Sequence, residues 1–175
     1  MKKTEIDLLL QKIAGGDNDA FARLYERTSR GVFSFLYTYL KNYEDTQDAM
    51  QAVYLKVKTG ISSYRFGTNG RAWLLQIAKN HALNELEKRK RVQPLDEVNE
   101  GELAVHNDGV NESGVIQLME RVLSEEERRI VSLHILWGYK HREIAEFLAC
   151  PTGTVTSKYK RSIEKLKKAI KEEKQ

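Results

Sequence analysis

Apolar side chains recur at helical spacing through almost the whole chain, and this periodicity stops in one place. Residues 92–114 contain Pro94, three glycines and six acidic residues but no lysine or arginine. Such a composition is typical of a flexible linker. Strand-like alternation is almost absent elsewhere, so the sequence predicts an all-α protein. We expect one small helical domain over 1–91, a flexible acidic linker over 92–114 and a second small helical domain over 115–175.

The bulk composition narrows the class of protein. The chain has 175 residues, of which 41% are hydrophobic and 31% are charged, as is normal for a soluble folded protein. No apolar run approaches the ~20 residues of a membrane span, and the N-terminus is too polar for a signal peptide. The single cysteine excludes an internal disulfide and a cysteine-based zinc cluster. We therefore expect a cytoplasmic protein with no membrane insertion of its own, no metal and no cofactor.

Capping signals divide the first domain into helices. Asp17 or Asn18 is predicted to cap the second helix. Acidic residues at 44–45 favour the start of the third helix, because negative charge is stabilising at a helix N-terminus. A loop follows, and the fourth helix is predicted to cover 71–91.

The second domain shows equally local signals. Ser124 and Glu127 have the spacing of a capping box, for a helix that is predicted to run to about Trp137. The last two helices are separated at Pro151, because proline cannot continue a helix. Thr152 is predicted to cap the final helix.

That final helix has an apolar face and a polar, cationic face. The apolar positions are Val155, Tyr159, Ile163, Leu166 and Ile170. The polar and cationic positions are Thr156, Ser157, Lys158, Lys160 and Arg161. A short helix, a tight turn and a second helix of this kind indicate a helix-turn-helix, whose second helix enters the major groove of DNA. An αα-hairpin whose polar face meets only water fits the same pattern.

A second candidate surface lies on the fourth helix. Its members, spaced at i, i+3, i+7 and i+11, are Trp73, Gln76, Asn80 and Asn84. Amides hydrogen-bond base edges, and an indole can stack on a base. The alternative is that Trp73 belongs to the core and that the amides share a face by chance.

The loop before this helix is rich in aromatic residues and glycine. Tyr64, Arg65 and Phe66 are followed by Gly67 and Gly70. Together they can form a pocket for an unstacked base. An ordinary loop, with its aromatic side chains anchored in the core, is the alternative.

Charge and motif content point to a polyanionic partner rather than to catalysis. The net charge is +4, and the basic residues cluster at 88–91 and 158–171. Such clusters suit nucleic acid, although solvated helix faces are the alternative. The four histidines lie on separate segments, and no HExxH, P-loop or paired-carboxylate pattern is present. We therefore predict a protein that is not an enzyme and has no catalytic residue.

Two strings together carry a resemblance to a known family: RAWLLQIAKN at 71–80 and GTVTSKYKR at 153–161. Over nearly its whole length the chain resembles bacterial RNA polymerase sigma factors of the sigma-70 family, extracytoplasmic-function (ECF) group. The first domain resembles region 2 and the second resembles region 4. The resemblance implies a factor that binds core RNA polymerase and promoter DNA, recognises the −35 and −10 elements, and assists promoter opening.

The resemblance also implies roles for individual residues and one more partner, an anti-sigma factor. Implied contacts with the −35 element are Thr152, Thr154, Thr156, Ser157, Lys158, Lys160 and Arg161. Implied contacts with the −10 element are Tyr64, Arg65, Phe66, Asn69, Trp73, Gln76, Asn80 and Asn84. Implied contacts with core polymerase are Asp45, Asp48 and Gln51. The alternative function is a stand-alone helix-turn-helix regulator that does not act through core polymerase.

One departure from the family pattern has a stability cost. Ala149 stands where the family commonly has a glycine in the turn between the last two helices. If this residue is left-handed, the side chain costs ~1 kcal/mol.

Overall fold

The computed structural model describes residues 3–92 and 112–172, and all regular secondary structure in these two ranges is helical. The described part of the N-terminal domain comprises α1 (Lys3–Ala14), α2 (Asn18–Leu40), α3 (Tyr43–Gly60), a 3-10 helix (Ile61–Ser63) and α4 (Gly70–Val92). The described part of the C-terminal domain comprises α5 (Glu112–Val122), α6 (Glu125–Ile135), α7 (His141–Leu148) and α8 (Thr152–Glu172). The prediction of an all-α protein with two helical domains is confirmed.

The predicted linker over 92–114 lies mostly outside the described residues. Helix α4 continues to Val92, and α5 already begins at Glu112. The two ends of the predicted linker are therefore helical. The prediction for residues 93–111 falls outside the described part of the chain.

Side-chain caps fix the starts of the helices in the N-terminal domain. Asp17 caps α2, and its Oδ1 accepts a hydrogen bond from the Ala20 N–H at 2.9 Å. Asn42 caps α3 in the same way through the Asp45 N–H, at 3.0 Å. Because Asn42 provides this cap, α3 begins slightly before the acidic pair from which its start was predicted.

The predicted capping box of α6 is confirmed. The Glu127 N–H donates to Ser124 Oγ at 3.3 Å, and the Ser124 N–H donates to Glu127 Oε2 at 2.9 Å. The predicted end near Trp137 is slightly too late, because α6 ends at Ile135. The chain then turns through Gly138, whose φ of 66° is left-handed.

Helices α7 and α8 form the predicted helix-turn-helix, with Ile144, Ala145 and Val155 buried between them. Ala149 ends α7 in the left-handed region, with a φ of 54°. The predicted cap at Thr152 is wrong, because Thr152 is itself the first residue of α8. The carbonyl of Pro151 instead accepts from the N–H groups of Thr154 and Val155.

The two domains pack against each other and share one hydrophobic core. Helix α2 contacts α6, and the rings of Phe35 and Phe147 meet edge to face at a centroid distance of 5.9 Å. Polar contacts cross the same boundary: Ser34 Oγ lies 3.1 Å from Ser132 Oγ. The indole of Trp137 is fully buried in this shared core. The sequence left the arrangement of the two domains open, and the structure places them side by side.

Two side chains of α4 also hold the C-terminal domain through its backbone. The Arg71 guanidinium donates to the carbonyl of Trp137 at 2.6 Å and lies over the ring of Tyr139. Lys79 Nζ donates to the carbonyl of Phe147 at 3.1 Å. Of the described helices, none is both long enough and apolar enough to cross a membrane.

Candidate nucleic-acid interface

The polar face of α8 is exposed at four of the five positions that the sequence analysis gave, and the fifth, Lys158, is half-buried. We call this face, formed by Thr152, Thr156, Ser157, Lys160 and Arg161, the α8 surface; all five residues are exposed. Thr154 lies beside it and is half-buried. The opposite side of the helix enters the core through Val155, Ser162 and Ala169. Side chains on the α8 surface can therefore meet a partner without any change in the fold.

The cations of α8 are not equivalent. Lys158 forms an ion pair with Glu126 of α6, and Lys165 forms one with Glu127 at 2.9 Å. Both lysines thus fasten α8 to α6. Lys160 forms no ion pair with any described residue and stands exposed. Its charge is therefore directly available to an anionic partner.

Three rings, one each from α6, α7 and α8, form a cluster near the start of α8. The rings of His134, His141 and Tyr159 stand between 4.5 and 5.0 Å from one another, centroid to centroid. His141 Nδ1 is 3.1 Å from the Thr156 hydroxyl, which also donates to the carbonyl of Thr152. Burial, together with the nearby His134, lowers the pKa of His141 below its usual value. A neutral imidazole thus supports one of the side chains of the α8 surface.

The amide face of α4 is also exposed. We call the face formed by Gln76, Asn80 and Asn84 the α4 surface; the Gln76 amide donates to Asn80 Oδ1 at 2.8 Å. Trp73, at the head of this face, is half-buried, and its ring lies 5.0 Å from that of Tyr64. Trp73 therefore packs partly on the core, while the three amides remain accessible.

The loop between the 3-10 helix and α4 has one buried aromatic side chain and one exposed one. Tyr64 is 4% exposed and donates its hydroxyl proton to Asp7. Burial and this hydrogen bond raise the pKa of Tyr64 to about 12, so the hydroxyl remains a donor. Phe66 is 46% exposed and meets the Tyr64 ring edge to face. The alternative of an aromatic side chain anchored in the core is therefore correct for Tyr64. The ring of Phe66 is accessible and can stack on a partner.

The remaining polar residues of the loop have different surroundings. Arg65 is exposed. Asn69 is half-buried, and its Oδ1 accepts from the Ala72 N–H at 3.3 Å, so it caps α4. The loop therefore presents Arg65 and Phe66 outward, next to the α4 surface.

A third surface, which we call the α3 surface, is formed on α3 by Asp48, Gln51 and Leu55. Asp48 and Gln51 are exposed, whereas Asp45 is half-buried and forms an ion pair with Arg89 at 2.6 Å. Leu55 stands on the same face as Asp48 and Gln51, at i+7 and i+4 from them, and is 63% exposed. The sequence analysis missed Leu55, although a leucine at helical spacing from two exposed polar residues was a usable signal.

Comparison with known proteins decides the family. The family model described as Sigma-70 region 2 matches residues 24–92, and the model described as Sigma-70, region 4 matches residues 114–166. The chain belongs to the sigma-70 family of sigma factors, in the ECF group. The region 2 match contains the α3 and α4 surfaces, and the region 4 match contains the α8 surface.

Similar sigma factors match along most of their length. The ECF RNA polymerase sigma-E factor of Haemophilus influenzae is 28% identical over 177 residues, covering 93% of each chain. The RNA polymerase sigma-H factor of Pseudomonas aeruginosa is 26% identical over 179 residues, covering 93% of this chain and 92% of the relative.

Two solved structures share the fold. The sigma factor RpoE, in complex with the anti-sigma factor NepR from Bartonella quintana, matches with a TM-score of 0.67 and 22% identity, covering 86% of this chain and 96% of that one. CnrH in complex with the cytosolic domain of CnrY matches with a TM-score of 0.62 and 17% identity, covering 95% and 97%.

The three surfaces carry side chains that are suited to recognition. Within residues 3–92 and 112–172, no three His, Cys, Asp or Glu side chains are grouped so that they can hold a metal ion. The α8 surface combines hydroxyls with cations, which suits phosphates and base edges. The α4 surface and its loop combine amides with an exposed aromatic ring, which suits unstacked bases.

Proposed function

We propose that this sigma factor binds core RNA polymerase and directs promoter-specific initiation. It recognises the −35 element through the α8 surface and the −10 element through the α4 surface and its loop. It acts in the cytoplasm and is not an enzyme. The observation that carries the proposal is the coexistence, on one chain, of an exposed helix-turn-helix face and an exposed amide face beside an outward-facing aromatic ring.

At the −35 element, α8 enters the major groove of intact duplex DNA. Thr156 and Ser157 stand near the start of the helix, where side chains of such motifs meet base edges. Lys160 and Arg161 contact phosphates and add affinity that falls with salt. The ion-paired Lys158 stabilises the docking of α8 on α6 and contributes less to DNA binding.

At the −10 element, the α4 surface meets the non-template strand as the duplex opens. Flipping a base out of the stack costs a few kcal/mol. Stacking on an aromatic ring returns roughly 1–3 kcal/mol per base, and Phe66 and Trp73 are the rings at this place. Gln76 and Asn80 supply amides for the exposed base edges.

Core polymerase docks on the α3 face formed by Asp48, Gln51 and Leu55. Two polar side chains and an exposed leucine one turn further along the helix make a small amphipathic contact of the kind that helix-helix interfaces use. An anti-sigma factor is a further partner. The RpoE structure contains the anti-sigma factor NepR, and the CnrH structure contains the cytosolic domain of CnrY.

The packed domains must separate before both elements are bound. The −35 and −10 elements are about 25 base pairs apart, which is roughly 85 Å at 3.4 Å per base pair. A compact chain of this length has a radius of gyration of about 16 Å, too small to reach both. Residues 93–111 extend to roughly 65 Å when fully stretched, which makes the required separation attainable.

Run-off transcription with core polymerase and a promoter library tests this function. We expect a specific set of start sites with a shared −35 and −10 sequence. Asn80→Ala and Gln76→Ala should lower open-complex formation on these promoters and have less effect on a template with a premelted −10 region. Gln11→Ala, an exposed amide on α1, is the matched control and should behave as wild type. Failure of the wild-type chain to direct initiation from any library member would refute the proposal.

A further inference from the structure

A single carboxylate oxygen joins the two ends of the loop before α4. Asp7 Oδ1 accepts from the Gly70 N–H at 2.9 Å and also from the Tyr64 hydroxyl. Between these two donors lie the five residues of 65–69, which include the exposed Arg65 and Phe66. One atom on α1 therefore fixes both the start and the end of the loop.

Helix α4 needs this acceptor because it has no acidic residue in its own first turn. The first N–H groups of a helix lack partners within the helix, and negative charge near them is stabilising. Asn69 accepts from the Ala72 N–H. Asp7 accepts from the Gly70 N–H and brings the negative charge from a different helix.

Close packing of α1 holds Asp7 in this position. Ile6 precedes Asp7 and Leu10 lies three residues after it on α1, and both side chains are fully buried. A β-carbon added at Gly70 would lie 2.7 Å from Leu10 Cδ1 and 2.9 Å from Ile6 Cγ2. The glycine is thus what allows α1 to approach the first turn of α4 closely enough for the hydrogen bond.

Tyr64 connects this hydrogen bond to two further aromatic rings, Phe66 in the loop and Trp73 on α4. Its ring lies 5.3 Å from that of Phe66 and 5.0 Å from that of Trp73, centroid to centroid. Both neighbours are rings to which we assign base stacking. Without the hydrogen bond to Asp7, the Tyr64 ring loses the contact that fixes its position against these two rings.

We infer that Asp7 is a positioning residue for recognition of the −10 element. Through Oδ1 it closes the loop, caps α4 and sets the rings of Phe66 and Trp73 at the spacing that captures an unstacked base. This inference rests on the proposed function and extends it to α1, which precedes the segment matched by the region 2 family model. The ligand that this site binds is single-stranded non-template DNA.

The test measures binding to single-stranded DNA separately from the other contacts. The wild-type holoenzyme first selects a non-template oligonucleotide from a library randomised over the −10 element. The affinity of each variant holoenzyme for that oligonucleotide is then compared with its affinity for −35 duplex and with the affinity of the sigma factor for core polymerase. We expect Asp7→Ala to weaken oligonucleotide binding about tenfold, as for loss of a charge-assisted hydrogen bond, and to leave the other two affinities unchanged.

Two further variants separate positioning from general stability. Asp7→Asn keeps an acceptor oxygen and should lose only a few-fold in affinity. Tyr64→Phe removes one of the two donors, and the double variant Asp7→Ala/Tyr64→Phe should bind no more weakly than Asp7→Ala alone. Glu5→Gln is the matched control, since Glu5 lies on the same helix and forms an exposed ion pair with Arg27.

The outcomes distinguish this inference from the proposed function. If the wild-type holoenzyme selects no oligonucleotide, the proposed function fails, and the inference fails with it. If the wild-type holoenzyme selects one and both Asp7→Ala and Tyr64→Phe bind it as tightly as wild type, only the inference is overturned. An equal loss in all three affinities also overturns it, because Asp7 then acts on the fold alone.

Discussion

The indole of Trp137 lies directly against the backbone of Gly31. A β-carbon at Gly31 would stand 2.9 Å from both Cε2 and Nε1 of that indole, closer than real side chains pack. Gly31 belongs to α2 in the N-terminal domain, whereas Trp137 follows α6 in the C-terminal domain. Because Gly31 has no side chain, it leaves room for the indole of Trp137, the largest fully buried side chain of the other domain.

We expect Gly31→Val to separate the two domains while leaving each folded. The three atoms nearest to a β-carbon at Gly31 all belong to Trp137, so the clash falls on the contact between the domains. Small-angle scattering should show a radius of gyration clearly above the roughly 16 Å of a compact chain of this length. In a Trp73→Phe background, the emission of Trp137 should shift to longer wavelength as water reaches the indole.

The glycine at 114 provides the control for this experiment. No atom lies within 4 Å of a β-carbon added there, so Gly114→Ala should leave the scattering unchanged. A Gly31→Val variant as compact as wild type would show that Trp137 packs elsewhere and that Gly31 does not control how the two domains pack together.

The left-handed alanine that ends α7 makes a separate prediction. Ala149 has a φ of 54°, where glycine avoids the steric cost of the β-carbon. Ala149→Gly should therefore raise the free energy of unfolding by about 1 kcal/mol. Urea unfolding of both proteins measures the difference. Ala22→Gly, at an exposed position inside α2, should change stability by a similar amount in the opposite direction.

Local features of the fold were predictable from sequence because their partners are close along the chain. The capping box of Ser124 and Glu127 spans three residues, and Asp17 likewise caps through an N–H three residues later. The prediction that Thr152 caps α8 was wrong because α8 begins directly after Pro151, with Thr152 as its first residue. The first turn of α8 is closed by the Pro151 carbonyl and needs no threonine cap.

The relationships that the sequence did not predict join distant residues. Asp7 meets Gly70 across 63 positions, and Arg71 meets Trp137 across 66. The periodicity of side chains within one helix cannot predict a contact between residues so far apart along the chain. A weak signal did exist at Gly31: a glycine inside an amphipathic helix costs up to about 1 kcal/mol, so it indicates a close approach by another element.

Acid should weaken the C-terminal domain through His141. Burial and the nearby His134 lower its pKa below the ordinary value of 6.5, so the folded state holds fewer protons than the unfolded state near that pH. Stability is therefore full above about pH 6.5 and falls as the pH drops through the lowered pKa. His141→Gln should make the free energy of unfolding depend less on pH between about 7 and 5.

Urea unfolding followed by Trp137 fluorescence, in a Trp73→Phe background, measures this dependence. His81→Gln is the comparison, because the pKa of His81 is also lowered but its side chain lies in the N-terminal domain, near Lys56. Equal slopes for wild type and His141→Gln would exclude His141 as the source of the pH dependence.

Salt dependence should distinguish the two lysines near the start of α8. Lys160 has no ion-pair partner among the described residues, so its contact with a phosphate releases a counterion, whereas Lys158 is already paired with Glu126. Lys160→Ala should therefore reduce the slope of log affinity against log salt by about 0.9 for a −35 duplex. Lys158→Ala should leave that slope unchanged and lower only the stability with which α8 packs on α6. Fluorescence anisotropy across a series of KCl concentrations gives both slopes. If Lys158→Ala reduced the slope as much as Lys160→Ala, the ion pair between Lys158 and Glu126 would have to open when DNA binds.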